Sequence, residues 1–367
     1  MPILPYSPKL NIARLQRLFD NKSECYKLFW FQALVDEVSA GRTVISYDDL
    51  INDMIAAAWY MVTEYRLNLG PSDNLEALVH YAHQEFGINS CEKKEKIIEL
   101  ISSSEDQNIR RVKNTLAQNV PYRLQAPFMP QMKGTEWDGP KLKVAEKINA
   151  YEGNIYRINI ASGLSSTVTV DEDWAEYICT NREIIRGWIK YNMIEYLQRR
   201  NPSVPGILNK LSPPDERKLT LVTKLWSGIR ELCPLEDIYG DNPLEDISLS
   251  IDHFVPWSYV AHDELWNLSP TTKSINSSKS NNLPAWDLYF EKLCSLQFRA
   301  YSTARGAEQL NVLFNRCLEE HVNNHDIRHR LFDESLTLPQ FSRNLEDIML
   351  PVYKGAESLG FEQWRLS

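Results

Sequence analysis

Residues 248–284 read SLSIDHFVPWSYVAHDELWNLSPTTKSINSSKSNNLP, and more chemistry is concentrated here than anywhere else in the chain. Ser248-Leu249-Ser250-Ile251 alternates polar and apolar, as a half-buried strand does, and delivers Asp252 and His253 at its end. Pro256 interrupts any continuing ladder. Leu265 to Leu268 reads as a returning strand closed by Pro270, and Thr272 to Ser280 as a helix. On that helix Asn276 and Lys279, three positions apart, share a face. A hairpin followed by a helix thus gathers a carboxylate, an imidazole, two amides and an ammonium.

Such a set suits phosphodiester cleavage. The phosphodiester's negative charge repels nucleophiles, so a cation must shield it and stabilise the departing oxyanion. Asp252 and the amide oxygen of Asn276 are hard oxygen donors, which favour Mg²⁺ or Mn²⁺ over zinc. His253 can take the proton of an attacking water if it is held in the right orientation. Asn267, from the facing strand, would brace the loop that carries the imidazole, and Lys279 would supply a mobile charge to a phosphate. The scheme requires a solvent-accessible gap between His253 and the two oxygen donors. An Asp-His pair alone is ordinarily a satisfied core histidine; the register of the other residues argues for a site.

Asp252-His253, Asn267, Asn276 and Lys279, spaced by 14, 9 and 3 after the histidine and closing on Leu283-Pro284, resemble an HNH endonuclease motif. The variant with Asn in the last metal-binding slot is similar to the HNH domain of CRISPR RNA-guided nucleases and to bacterial phage-defence HNH nucleases. The resemblance implies a ββα-metal finger in which His253 is general base, Asp252 and Asn276 bind the metal, and Asn267 orients the hairpin. Many such proteins carry a CxxC half-knuckle upstream, but here Cys233-Pro234-Leu235-Glu236 keeps one cysteine. No structural zinc is expected, and flanking helices (Lys218 to Leu232 and Ala285 to Glu320) should hold the finger by packing.

The chain has 367 residues, 43% hydrophobic and 11% aromatic, which excludes global disorder and suits two or three domains. Forty Lys and Arg against 49 Asp and Glu give a net charge of −9, arguing against a protein that coats nucleic acid by bulk charge. The longest apolar run, Met54 to Val62, is too short to span a bilayer. The N-terminal residues lack a secretory pattern and the six cysteines are scattered, so a cytoplasmic location with reduced thiols is expected.

The fold class expected is α+β, predominantly α-helical, with the finger embedded between helical segments and a β-hairpin near 154–170. Three regions are anticipated: a helical N-terminal domain at 1–125 for targeting or partner binding, a mixed region at 126–215, and an HNH domain with flanking helices at 216–367, its core at 244–284. Pro121 to Pro140 breaks every helix pattern, and Ser46 with Asp49 marks a helix start. Arg182, Arg186 and Lys190 repeat at helical spacing beside Trp188 and Tyr191, a candidate nucleic-acid surface. His321, His325 and His329 stand at i, i+4 and i+8, but their charged neighbours read as a solvated face rather than a ligand set.

The leading reading is a metal-dependent endonuclease acting on DNA in a bacterial antiphage or restriction-like setting, aided by a partner protein and compatible with an oligomer. The alternatives are an RNA-cleaving enzyme of the same kind and a non-catalytic interaction subunit of a defence complex.

Overall fold

The computed structural model describes residues 4–20, 24–213, 219–244 and 248–366. They fall into two compact units: the first runs to Pro202 and includes Lys210–Pro213, and the second takes Ser203–Asn209 and the described residues after 213. The first unit contains helices including Tyr26–Ser39, Tyr47–Thr63, Asn74–Phe86 and Arg182–Arg200, together with a three-stranded antiparallel sheet. Strands β1 (Val44–Ser46), β2 (Tyr156–Asn159) and β3 (Thr167–Val170) lie in the order β1-β3-β2. The β2–β3 pair is the hairpin expected near 154–170.

The sequence marks Ser46 as a helix start, and the structure adds the strand β1 that ends on it. Ser46 performs both duties, ending the strand and accepting the Asp49 N–H through its hydroxyl at 3.0 Å. Because β1 pairs with β3, the expected boundary at 125/126 separates strands of one sheet. The proline-rich stretch also contains more regular structure than expected. Pro121 sits at the start of a short helix, Val120–Arg123, where its missing N–H costs nothing.

The second unit packs helices Thr220–Leu232, Trp286–Gly306, Glu308–His321, His325–Phe332 and Leu338–Ser358 around a small hairpin and helix. The expected first residue of its leading helix, Lys218, lies outside the described residues. Trp226, Leu293, Tyr301, Phe314, Leu345, Met349 and Tyr353 form the interior. Gly228 permits close helix contact, since a Cβ there would lie 2.5 Å from Leu310 Cδ2. The single long helix expected from 285 to 320 breaks at Ala307, whose extended backbone separates two helices.

Strand β4 (Ser250–His253) pairs antiparallel with β5 (Leu268–Thr271), placing Asp252 opposite Ser269 and His253 opposite Leu268. The returning strand was expected at 265–268. Instead Leu265–Asn267 is a 3-10 turn and the strand begins at Leu268, running through Pro270. A strand with a partner on only one side can hold a proline whose absent N–H the ladder does not use. Thr272 caps the finger helix Lys273–Lys279 by accepting the Ile275 N–H at 3.2 Å. Leu283–Pro284 (β6) then pairs in parallel with Gln363–Trp364 (β7).

The long helix behind the hairpin holds it by specific hydrogen bonds as well as by packing. Gln297 is fully buried, and its Nε2 donates to the carbonyls of Trp266 and Leu268, both at 3.0 Å. Tyr301 donates to the Leu265 carbonyl at 3.1 Å. Removing the amide in Gln297→Ala leaves two buried carbonyls without that donor, at a cost of about 2 kcal/mol. Hydrogen exchange of amides in 250–271 should accelerate correspondingly, whereas wild-type protection would contradict this role.

Candidate functional site

Four of the five finger residues singled out from sequence are brought together through strand β4. Lys279 is the pin. Its side chain is fully buried, and Nζ lies 3.1 Å from Asp252 Oδ1 and 2.7 Å from the His253 carbonyl oxygen. The expectation of a mobile phosphate-reaching charge is therefore corrected. An ammonium with 0% exposure is tolerated in a protein interior when paired and hydrogen-bonded, and here it ties the helix to the strand.

The other Asp252 oxygen accepts a hydrogen bond from the Tyr239 hydroxyl at 2.5 Å. Burial, then the Asp252 carboxylate, push the Tyr239 phenol well above its ordinary pKa, so it stays a donor. Its ring is held edge-on by Tyr289 and Trp364, with centroids 5.1 and 5.2 Å away. The turn carrying Tyr239 is fastened by Asp237, whose Oδ1 accepts the N–H groups of Tyr239 and Gly240 at 2.7 and 3.0 Å and whose Oδ2 accepts the Thr271 hydroxyl. Side-chain hydrogen bonds thus staple the segment that leads into β4.

Asn276 is half-buried on the finger helix. Its Nδ2 donates to Ser250 Oγ at 2.8 Å and to the Ile251 carbonyl at 3.2 Å, committing the nitrogen to β4 and leaving the amide oxygen for another partner. Asn267 closes the loop after His253 from both sides: its Oδ1 accepts the Val255 N–H and its Nδ2 donates to the Val255 carbonyl, each at 2.8 Å. Its own carbonyl accepts the Phe254 N–H at 2.8 Å.

His253 has a partner the sequence reading missed. Its Nε2 lies 2.8 Å from Asp263 Oδ1, in the loop between the two strands. A carboxylate accepts, so Nε2 carries the proton of this bond, and Nδ1 is the ring nitrogen it leaves for another partner. No periodicity marks Asp263, one of several polar residues in a loop. Tyr239 and Asp237 were equally hidden, because they precede the strand and act through side chains folded back onto it.

The centre is more closed than anticipated. Asp252 is 4% exposed and His253 5%, so the open gap expected at these two residues is corrected to a nearly closed centre, with Asn276 half-buried beside it. Among the described residues, no group of three or more His, Cys, Asp or Glu side chains is placed to hold a metal ion. The available donor set is one carboxylate and one amide oxygen on adjacent elements. Its chemistry fits a hard cation that keeps several waters.

Outside the finger, Arg182 pairs with Glu183, and Arg186 with Asp36 at 2.7 Å, so part of that helix's basic character is neutralised locally. Lys190 is exposed on the same helix. The histidine series does not share one helix. His321 ends one, buried, while His325 and His329 lie on the next with ring centroids 5.0 Å apart. No helix among the described residues is long and apolar enough to cross a membrane.

Residues 237–285 match the family model of HNH endonucleases, HNH_4, a span that begins at the stapling Asp237 and ends just after β6. The chain therefore carries an HNH-type segment, a β-hairpin with flanking helices, and the match supports nuclease activity at the level of the family. Comparison with curated proteins and with solved structures finds no match.

The buried Asp252–Lys279 pair makes a prediction independent of activity. Lys279→Met should lower stability by about 3 kcal/mol in the presence of chelator, because a buried carboxylate loses its counter-ion. Adding Asp252→Asn should recover part of that loss. Denaturant titration of the single and double variants checks it, and strictly additive losses would contradict the pairing.

Proposed function

We propose that this protein is a metal-dependent HNH endonuclease that hydrolyses phosphodiester bonds in DNA. The observation that carries the reading is the His253–Asp263 hydrogen bond at 2.8 Å, at the end of a strand whose preceding residue is Asp252. With Nε2–H held by the carboxylate, Nδ1 accepts a proton from water as that water attacks phosphorus. The bond from phosphorus to the sugar oxygen breaks, and the leaving oxygen is protonated from solvent. Asn267 fixes the loop in which the imidazole begins, and Lys279 holds the strand backbone through the His253 carbonyl.

Asp252 and Asn276 are the residues that would hold Mg²⁺ or Mn²⁺. When bound, the ion would shield the phosphate and stabilise the leaving oxyanion. Lys279 and Tyr239 already occupy one direction on each Asp252 oxygen, leaving further lone pairs available.

A bacterial antiphage or restriction-like role rests on the motif's resemblance, a cytoplasmic setting on the scattered cysteines, and a partner that supplies targeting on the acidic balance and the large part of the chain outside the finger. The helical first unit is the part of the chain for such a partner, or for nucleic acid through Lys190 and its neighbours Arg182 and Arg186. RNA is the alternative substrate, since a finger of this kind meets mainly the sugar-phosphate backbone. The near-closure of His253 and Asp252 favours a second reading, a non-catalytic interaction subunit whose finger is structural.

Plasmid nicking separates these readings. The wild type should cut in Mg²⁺ or Mn²⁺ and stop with chelator, and His253→Ala should lower the rate by at least about a hundredfold with the fold intact. Asn276→Ala should shift the metal titration to higher concentration. Undiminished cutting by His253→Ala would overturn the base assignment. Absence of cutting of duplex DNA, single-stranded DNA and RNA under all metals would favour the interaction subunit.

A further inference from the structure

Asp263 sets the tautomer of His253, yet it sits in a loop without regular structure, and groups from outside the family-matched segment help to hold that loop. Two come from the end of helix Glu308–His321 and the residues just after it. The His321 Nδ1 is 2.8 Å from the Asp263 carbonyl oxygen. A carbonyl can only accept, so Nδ1 carries the proton and donates it. At the next loop residue, Glu264 Oε1 accepts from the Asn323 main-chain N–H at 3.2 Å and from its side-chain amide at 3.0 Å.

His321 is 5% exposed. Its Nε2 is buried without a hydrogen-bond partner, so the ring has one polar anchor, the Asp263 carbonyl. A histidine used only for packing would have no reason to aim its single donor at the residue that orients His253. The helix supplying it is itself fixed in the interior by Phe314, Cys317 and Leu318. The chain of contacts runs from a rigid helix, through His321, to the backbone of Asp263, and through the Asp263 carboxylate to the imidazole. Around metal-binding histidines, hydrogen bonds of this outer kind fix ring orientation and tautomer, and their loss typically lowers activity by about 10- to 100-fold; the Asp263 loop does the same for the His253 ring.

We propose that His321 is a positioning residue of the nuclease centre, holding the Asp263 loop so that its carboxylate stays on His253 Nε2. This rests on the reading of His253 as general base. The tautomer claim can nevertheless be tested without activity.

The experiment uses the full chain with ¹⁵N-labelled histidine, the His253 signals being assigned by their loss in His253→Ala. In the wild type His253 should be held as the Nε2–H tautomer. In His321→Leu the two tautomers should mix. In plasmid nicking with Mn²⁺, kcat should fall by about 10- to 100-fold while KM stays within about twofold. His321→Asn keeps an N–H donor close to the Nδ1 position and should restore most of both properties. In an Asp263→Asn background, His321→Leu should have little further effect on kcat.

Asn323→Ala removes an exposed grip on the same loop without touching the core. It should shift the tautomer in the same direction to a smaller extent, which serves if His321→Leu does not fold. A wild-type tautomer in a folded His321→Leu, or in Asn323→Ala where that variant must stand in, would overturn the proposal. So would an undiminished effect of His321→Leu on kcat in the Asp263→Asn background. If no preparation cuts any substrate, the nuclease reading fails and the tautomer spectra alone decide the positioning claim.

Discussion

The finger depends on one buried ammonium. Lys279 Nζ reaches from the last turn of the finger helix to the Asp252 carboxylate and the His253 carbonyl, joining helix and hairpin at the two residues on which the chemistry turns. Burying a charge is expensive unless it is paired, so the contact is not interchangeable with apolar packing: a slip of the helix by one residue would strand both charges. The helix register that this contact demands also puts Asn276, three residues earlier, against the Ile251 carbonyl beside Asp252. Register, site geometry and the closed state of the centre therefore share one cause.

Around that contact, the unit spends its polar groups on holding loops. Asp237 fastens the turn that carries Tyr239, Asn267 closes the loop after His253, and Gln297 and Tyr301 secure the start of β5 from behind. The C-terminal segment contributes through β7, which pairs with β6, and through Trp364, whose Nε1 donates to Ser278 Oγ at 3.3 Å. A two-stranded hairpin is marginal by itself, and here hydrogen bonds from distant helices supply what further strands would otherwise provide. Gln297, Tyr301 and the C-terminal segment lie beyond the family-matched segment, so the finger belongs physically to a larger helical unit.

What could be read from sequence followed periodicity and spacing. The hairpin-helix order, the Thr272-capped helix and the interplay of Asn267 with the His253 loop were legible because each is local. Less legible was anything requiring a side chain to fold back over a long separation. Lys279 reads as a surface cation at the end of a polar helix, and only the three-dimensional structure places Asp252 and a carbonyl around it. Asp263 and Tyr239 carry no pattern at all. His321 was noticed for its spacing to His325 and His329, but the extended backbone at Val322 ends its helix and turns the series into unrelated sites. Strand β1, three residues long, was hidden because its last residue also caps a helix.

The central claim is that Asp252 and Asn276 form the oxygen pair for a divalent ion beside His253. Anomalous diffraction from crystals of the full chain grown with Mn²⁺ tests it most directly. The account predicts a manganese peak bonded to an Asp252 carboxylate oxygen and to Asn276 Oδ1, on the side of His253 that presents Nδ1. Fully loaded crystals with no peak at this pair, or with manganese bound only elsewhere, would contradict it.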